Sequence, residues 1–251
     1  SPSALDTIRG DVPGMAGLLF DRERMLYHGV SGVRAKGEAA PVEQGDCWHI
    51  GSCTKAMTAA VFGLFVQDGL LDFDAPVRAL FPDIKAVHPE WQARTAADVM
   101  AHVGGIGNGA PMGTLFFLTA RGSKDPLPVQ RRKLAEFVLA RPPAHPRGTF
   151  EYANMNYVLI GAAIESATKT AWEDVMRSRL FAPLGMASAG FGPPPAPNPQ
   201  GHAKSPFSKK ATPVGFDAMA DNPLALGPAG TIHLSLEDWM AFCRLFLGPP
   251  G

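Results

Sequence analysis

Ser52, Lys55, Tyr152 and Asn154 are the side chains of this sequence whose types and spacing could together do chemistry. A serine hydroxyl is a poor nucleophile at neutral pH unless a neighbouring group takes its proton. In Ser52-Cys53-Thr54-Lys55 an amine stands three residues after a hydroxyl. If a helix starts there, a three-residue step turns about 300° and rises about 4.5 Å, so both groups fall on one face. The following run, Ala56 to Val66, carries no charged side chain and is punctuated by Gly69, the pattern of a buried helix. The first turn of such a helix leaves backbone N–H groups free and presents the positive end of its dipole, where an oxyanion or carboxylate would be stabilised. The same field, with burial, favours the neutral amine of Lys55. The chemistry expected is attack of a hydroxyl on a carbonyl, with a plain helix N-cap at Ser52 as the alternative.

Tyr152 and Asn154 sit in a loop bounded by proline and glycine, His145-Pro146-Arg147-Gly148-Thr149-Phe150-Glu151-Tyr152-Ala153-Asn154, which leads into the apolar helix beginning near Tyr157. Functional side chains commonly project from such loops. A tyrosine, with a reference pKa near 10, needs a neighbouring cation to act as a base, and Lys55 could be that cation. Asn154 offers a donor and an acceptor, to a substrate amide or to the lysine amine. The alternative is a packed aromatic at Tyr152 and a helix cap at Asn154. A second copy of the serine-lysine spacing, Ser166-Ala167-Thr168-Lys169, falls at the end of a helical run where carbonyls are free, and is rejected as a nucleophile.

The elements that must position these groups are a strand-like stretch from Cys47 to Ile50, the serine helix, short helices around Val77–Leu80, Ala96–His102 and Val129–Leu139, and the helix from Tyr157 to Ala167. Thr95 with Asp98 makes a capping-box-like start, and His102 at the end of that helix is expected to make a structural hydrogen bond. Gly104 to Pro128 reads as a long loop that could border the site, and the proline-dominated stretch from Gly192 to Gly201 as a crossing connection. Ser235 begins a last helix with an acidic first turn, on which Trp239, Phe242 and Leu245 recur at core spacing.

Composition sets the bounds. The chain has 251 residues, 46% hydrophobic, ample for a sizeable core. Its 23 basic and 23 acidic residues cancel, which gives no electrostatic case for nucleic acid or an anionic membrane. No apolar run approaches the roughly 18 residues of a membrane-spanning helix. Cys47, Cys53 and Cys243 make no metal spacing and cannot all pair, so disulfides are not expected to hold the fold. Helical rotation of about 100° carries Cys53 off the serine-lysine face and into the core, so it is not taken as a nucleophile. The seven histidines show no metal-binding pattern. No cofactor is expected.

With these words in order, the chain resembles the penicillin-recognising serine hydrolases, within them the class C β-lactamase, DD-peptidase and related carboxylesterase branch. The resemblance extends over nearly the whole sequence. It includes Val12-Pro13-Gly14-Met15-Ala16-Gly17, Trp48-His49-Ile50-Gly51-Ser52-Cys53-Thr54-Lys55 and Gly69-Leu70-Leu71-Asp72-Phe73-Asp74-Ala75-Pro76-Val77. It continues through Thr95-Ala96-Ala97-Asp98-Val99-Met100-Ala101-His102-Val103-Gly104-Gly105-Ile106, Gly148 to Asn154, Leu180-Phe181-Ala182-Pro183-Leu184-Gly185-Met186 and Gly227-Pro228-Ala229-Gly230. The resemblance implies an α+β fold of the β-lactamase/transpeptidase type: an antiparallel sheet flanked by helices, plus an all-helical lobe. It implies one bilobal unit over 1–251, with 1–75 and about 200–251 forming the sheet lobe and serine helix, and about 76–199 the mainly helical lobe. It makes Ser52 the acylated nucleophile, places Lys55 and Tyr152 in its proton relay, and gives Asn154 to the substrate amide or the lysine.

The family's third motif, Lys-Thr-Gly or His-x-Gly on a strand facing the serine, has no suitable copy. His102-Val103-Gly104 precedes Tyr152 and matches another segment, and Lys169-Thr170-Ala171 lacks the glycine. From strands the expected sheet has only the hairpin Met15–Phe20 with Met25–Val33, and a two-stranded ribbon is marginal alone. The sequence therefore leads to the expectation that the C-terminal strands of the sheet are missing and that a complementary C-terminal fragment completes it. The resemblance implies a small-molecule or peptide substrate, a β-lactam amide or a related ester or D-alanyl peptide. The other implied class is a non-catalytic penicillin-binding sensor or regulatory protein without the third motif. The compartment expected is periplasmic or extracellular if a signal peptide has been removed, and cytoplasmic otherwise.

Overall fold

The computed structural model describes residues 4–107, 119–204 and 210–248. They form two compact units: one from the residues up to Ile50, Phe181–Asp221 and the residues from Ile232 on; the other from Gly51–Leu180 and Asn222–Thr231. Helices and small antiparallel sheets together make the α+β architecture. No helix among the described residues is long and apolar enough to cross a membrane. Residues 108–118, in the segment expected to form a long loop, lie outside the described residues.

The first unit holds the sheets. Strands β1 (Gly14–Phe20) and β2 (Met25–Gly32) pair antiparallel, Gly14 opposite Gly32, with a register irregularity at Leu19 and Phe20. The short helix Ala4–Ile8 lays its buried Leu5 over Gly17, where a β-carbon would come 3.2 Å from the leucine methyl. Five shorter strands follow: β3 (Trp48–His49), β4 (Gly190–Phe191), β5 (His202–Lys204), β6 (Ala211–Pro213) and β7 (Ile232–Leu234). The wholly buried β7 is central in the order β3-β7-β4, and β5 pairs with β6. The hairpin is thus accompanied by two further small sheets, whose two- and three-residue strands are too short to carry a period-2 signal.

Ser235 caps the helix Leu236–Cys243 by accepting from the Asp238 N–H, and Asp238 in turn accepts from the backbone and hydroxyl of Ser188 at 2.8 and 2.5 Å. On this helix Phe242 is buried with Trp239 stacked 5.7 Å away, but Leu245 is 54% exposed. The expectation of a core position for Leu245 is corrected by geometry. The α-helix ends at Cys243 and a 3₁₀ turn, Arg244–Phe246, follows, so the α-helical period that gives Leu245 a core position does not extend to it, and Leu245 and Phe246 are both exposed.

The second unit is helical. The serine helix proper runs Thr54–Gln67 and buries Met57, Val61, Phe62 and Phe65, each side chain worth roughly 1.5–3 kcal/mol of transfer free energy. Gly69, at φ +73°, closes it: its N–H and that of Leu70 return to the carbonyls of Val66 and Phe65. The helix Asn154–Thr168 is buried without a break from Met155 to Glu165, which explains why its sequence is apolar all round. The short helix Ala96–Met100 begins with the capping box of Thr95 and Asp98. By its packing the serine helix groups with these helices and lies against the 154–168 and 227–230 segments, whereas the resemblance implies a place with the sheet lobe.

One ionic group lies inside this unit. Arg131, on the helix Leu127–Leu139, is 0% exposed and reaches both carboxylate oxygens of Glu165 (2.6–3.1 Å) and of Glu173 (2.8 and 3.0 Å). Glu165 also accepts the Trp172 N–H at 2.9 Å. A buried guanidinium that satisfies two carboxylates at once fixes three helices relative to one another.

Candidate active site

Ser52 stands in the middle of a single 3₁₀ turn, Gly51–Cys53, that runs directly into the serine helix. The cap position is Cys53, with helical backbone angles and no side-chain capping bond, so Ser52 is not an ordinary N-cap. The structure also corrects the core expectation for Cys53. Two residues of helix turn about 200°, so with Lys55 buried the Cys53 side chain falls on the opposite side and is exposed.

The Lys55 amine is the hub of the site. Its Nζ lies 3.1 Å from Ser52 Oγ, 2.8 Å from Asn154 Oδ1 and 2.6 Å from the Ala229 carbonyl oxygen. The Tyr152 hydroxyl donates to Ser52 Oγ at 2.7 Å, and its ring centroid is 4.9 Å from Nζ. Tyr157 puts a second ring 5.8 Å from the amine. The four residues singled out from the sequence are therefore brought together, all of them within the second unit. Burial pushes the Lys55 pKa below its ordinary value, and Tyr152, through its hydrogen bond and charge, pulls it partly back. Burial likewise raises Tyr157, with Tyr152 adding to the shift.

Two contributors were not assigned from the sequence. The turn Gly227–Gly230 supplies the Ala229 carbonyl, and Thr58 of the serine helix holds it by donating to the Pro228 carbonyl at 2.9 Å. Gly161 gives the turn its seat, because a β-carbon there would overlap the Pro228 ring. The word Gly227-Pro228-Ala229-Gly230 was the available signal, but nothing in residue type announces a backbone carbonyl as a ligand. His102 is the other: its ring lies 4.6 Å from the Tyr152 ring, between Tyr152 and Tyr157. The rejected lysine, Lys169, caps the far end of its helix in the left-handed region and faces Asp83 at 3.8 Å. Among the described residues no group of three or more His, Cys, Asp or Glu side chains could hold a metal ion.

Two acceptors with no protons of their own, an amide oxygen and a carbonyl oxygen, fix two of the amine's directions. The third points at the serine. Such an arrangement can exchange a proton between an alcohol and an amine without moving a heavy atom.

Among known proteins, the chain is 28% identical over 243 residues to penicillin-binding protein 4 of Amycolatopsis lactamdurans, covering 94% of this chain and 60% of that protein. It is 31% identical over 148 residues to the unguisins hydrolase ungD' of Aspergillus campestris, covering 56% of this chain and 26% of that protein. Among solved structures it is similar to the D-amino acid amidase of Ochrobactrum anthropi SV3 complexed with D-phenylalanine, with TM-score 0.69, 26% identity, and coverage of 94% of this chain and 66% of that one. The chain thus spans only part of the length of these relatives. The Beta-lactamase family model matches residues 4–250, and with the fold and the site described above this shows that the chain belongs to the Beta-lactamase family.

Proposed function

We propose that the protein is a serine hydrolase that forms an acyl-enzyme on Ser52. The observation that carries this reading is the position of Ser52 Oγ between the Lys55 amine and the Tyr152 hydroxyl, at 3.1 and 2.7 Å. In its neutral form Lys55 donates its two N–H groups to Asn154 Oδ1 and the Ala229 carbonyl, which leaves its lone pair toward Ser52. The serine proton passes to that lone pair as Oγ bonds to the substrate carbonyl carbon. The developing oxyanion is met by backbone N–H groups at the start of the serine helix. Breakdown of the tetrahedral intermediate expels the leaving amine or alcohol, which takes a proton through Tyr152. Water then attacks the acyl-enzyme, and the relay runs in reverse to free Ser52.

The substrate class is a β-lactam amide or a related ester or D-alanyl peptide. The names of the relatives, a penicillin-binding protein, a hydrolase and a D-amino acid amidase, support attack on an amide-type carbonyl. The test is covalent. A fluorophosphonate probe or a penicillin is expected to add its mass to the protein, the adduct should map to Ser52, and Ser52→Ala should abolish it. A panel of nitrocefin, a p-nitrophenyl ester, D-phenylalanine amide and a D-alanyl-D-alanine peptide then assigns the substrate. An unlabelled Ser52 together with no turnover of the panel would leave a non-catalytic binding protein.

A further inference from the structure

We infer that His102 is a positioning residue for Tyr152: it clasps the backbone on both sides of the tyrosine, supports its ring from beneath, and so holds the hydroxyl on Ser52. The inference rests on the acyl-enzyme reading above and adds to it a residue that makes no contact with Ser52 or Lys55.

The tripeptide Glu151-Tyr152-Ala153 is held by this one residue at both ends. The Glu151 N–H donates to the His102 carbonyl at 2.9 Å, and the Ala153 N–H reaches the His102 Nδ1 at a longer 3.4 Å. Between these two attachments the His102 and Tyr152 rings lie 4.6 Å apart at 37°. Tyr152 is 42% exposed, and its hydroxyl donates to Ser52 Oγ at 2.7 Å and is hydrogen-bonded to the Lys55 amine. Without the clasp a half-exposed tyrosine on a loop would have rotamer freedom, which a proton relay must remove beforehand.

The state of the imidazole follows from its partners. Nδ1 also faces the Asn156 Nδ2 at 2.9 Å, and that same Nδ2 donates to the Ala153 carbonyl at 3.1 Å. Two donors therefore converge on Nδ1, which must be the unprotonated nitrogen, so the proton sits on Nε2. Turning the Asn156 amide over would set its oxygen against the Ala153 carbonyl. In the orientation that satisfies Nδ1, the buried Asn156 Oδ1 has no hydrogen-bond partner among the described residues, which costs free energy. His102 itself has a left-handed backbone, φ 61°, which few non-glycine residues adopt. An orphaned amide oxygen and a left-handed histidine on one hydrogen-bonded pair are local costs of the kind that persist where geometry is being enforced. Burial, aided by the Lys55 charge, keeps the ring neutral, in agreement with an acceptor at Nδ1.

The experiment uses the full-length protein. His102→Ala removes ring and acceptor, whereas His102→Asn keeps a left-handed-tolerant residue with an oxygen near the place of Nδ1. With a fluorophosphonate probe, His102→Ala should lower the limiting labelling rate at Ser52 about tenfold to a hundredfold. The half-saturating probe concentration should stay within about twofold of wild type, and His102→Asn should recover part of the rate. Labelling of His102→Ala at the wild-type limiting rate, or a loss entirely in half-saturation, overturns the clasp. Fluorotyrosine NMR reads the same proposal without activity: the Tyr152 resonance, assigned with Tyr152→Phe, should move toward that of a solvent-exposed ring in His102→Ala, and an unmoved resonance overturns it. If His102→Ala does not fold, nitrogen NMR of the wild-type imidazole decides, since a protonated Nδ1 is incompatible with the clasp. A wild type that takes no label at Ser52 counts against the acyl-enzyme reading, and the two NMR measurements still decide the clasp.

Discussion

At the scale of single residues, the proposed chemistry turns on the protonation of Lys55. A charged amine has three protons for three acceptors and cannot take one from Ser52; a neutral amine has two and a lone pair. Because burial depresses the Lys55 pKa, the neutral fraction at a given pH is larger than for an amine in water. The kcat/KM for a p-nitrophenyl ester is accordingly expected to rise with pH along a limb that ends below the ordinary lysine value of 10.5. Tyr152 acts to raise that pKa, so Tyr152→Phe should lower the plateau and shift the limb to lower pH; a shift to higher pH would contradict this geometry. Lys55→Arg keeps the charge and loses the base, and should lower the acylation rate by about a hundredfold to ten-thousandfold. The proximity of Ser52 and Lys55 was readable because they are neighbours on one turn, where spacing alone brings the groups together. Tyr152 and Asn154 were readable only as a second word of suitable chemistry, since no spacing rule ties residues a hundred positions apart. Cys53 differs for another reason: a side chain about 100° off the serine-lysine face can meet core or solvent, and which it meets is decided by packing that spacing does not display.

At the scale of elements, the site depends on how closely three segments approach. The 154–168 helix was legible as an apolar run and the serine helix by its glycine stop, whereas the 227–230 turn carried no periodicity, and its role appears only where Gly161 meets Pro228. Gly161→Ala tests this contact. A helical alanine would ordinarily gain up to about 1 kcal/mol over glycine, but the overlap with Pro228 should reverse that, costing about 1–3 kcal/mol. It should also displace the Ala229 carbonyl from Lys55, so that Ser52 labelling falls while the fold persists. Gly63→Ala is the control: its β-carbon would meet only Phe73, at an ordinary 3.6 Å, and melting temperature should hold or rise. The Arg131 group is a second element-scale device that no motif announced, because a guanidinium on an amphipathic helix reads as solvated until its partners are known. Arg131→Met leaves the carboxylates of Glu165 and Glu173 buried without their cation and should cost about 3–5 kcal/mol in urea unfolding. A loss under about 1 kcal/mol would mean that water or local rearrangement compensates them.

At the scale of the whole molecule, each unit contains a histidine that burial holds below its ordinary pKa of 6.5: His102 in the helical unit and His233 on β7 in the sheet unit. His102 is further depressed by Lys55, and His233 by His49, although the Gly192 carbonyl near its Nδ1 draws it partly back. The sign follows from proton counting. Between the depressed folded value and 6.5 the unfolded chain binds more protons than the folded one, so unfolding takes up protons and stability rises with pH. The stability tied to the neutral rings is fully present above 6.5 and is lost as pH falls through the folded values. With 23 basic and 23 acidic residues the chain carries little net charge near neutrality, so general self-repulsion does not obscure this step until the carboxylates titrate. Thermal unfolding followed from about pH 8 to pH 5 should show a falling melting temperature that begins below about pH 7. His102→Asn and His233→Asn, whatever their separate costs at pH 8, should each flatten part of that slope. A slope unchanged in both variants would assign it to groups other than these two rings.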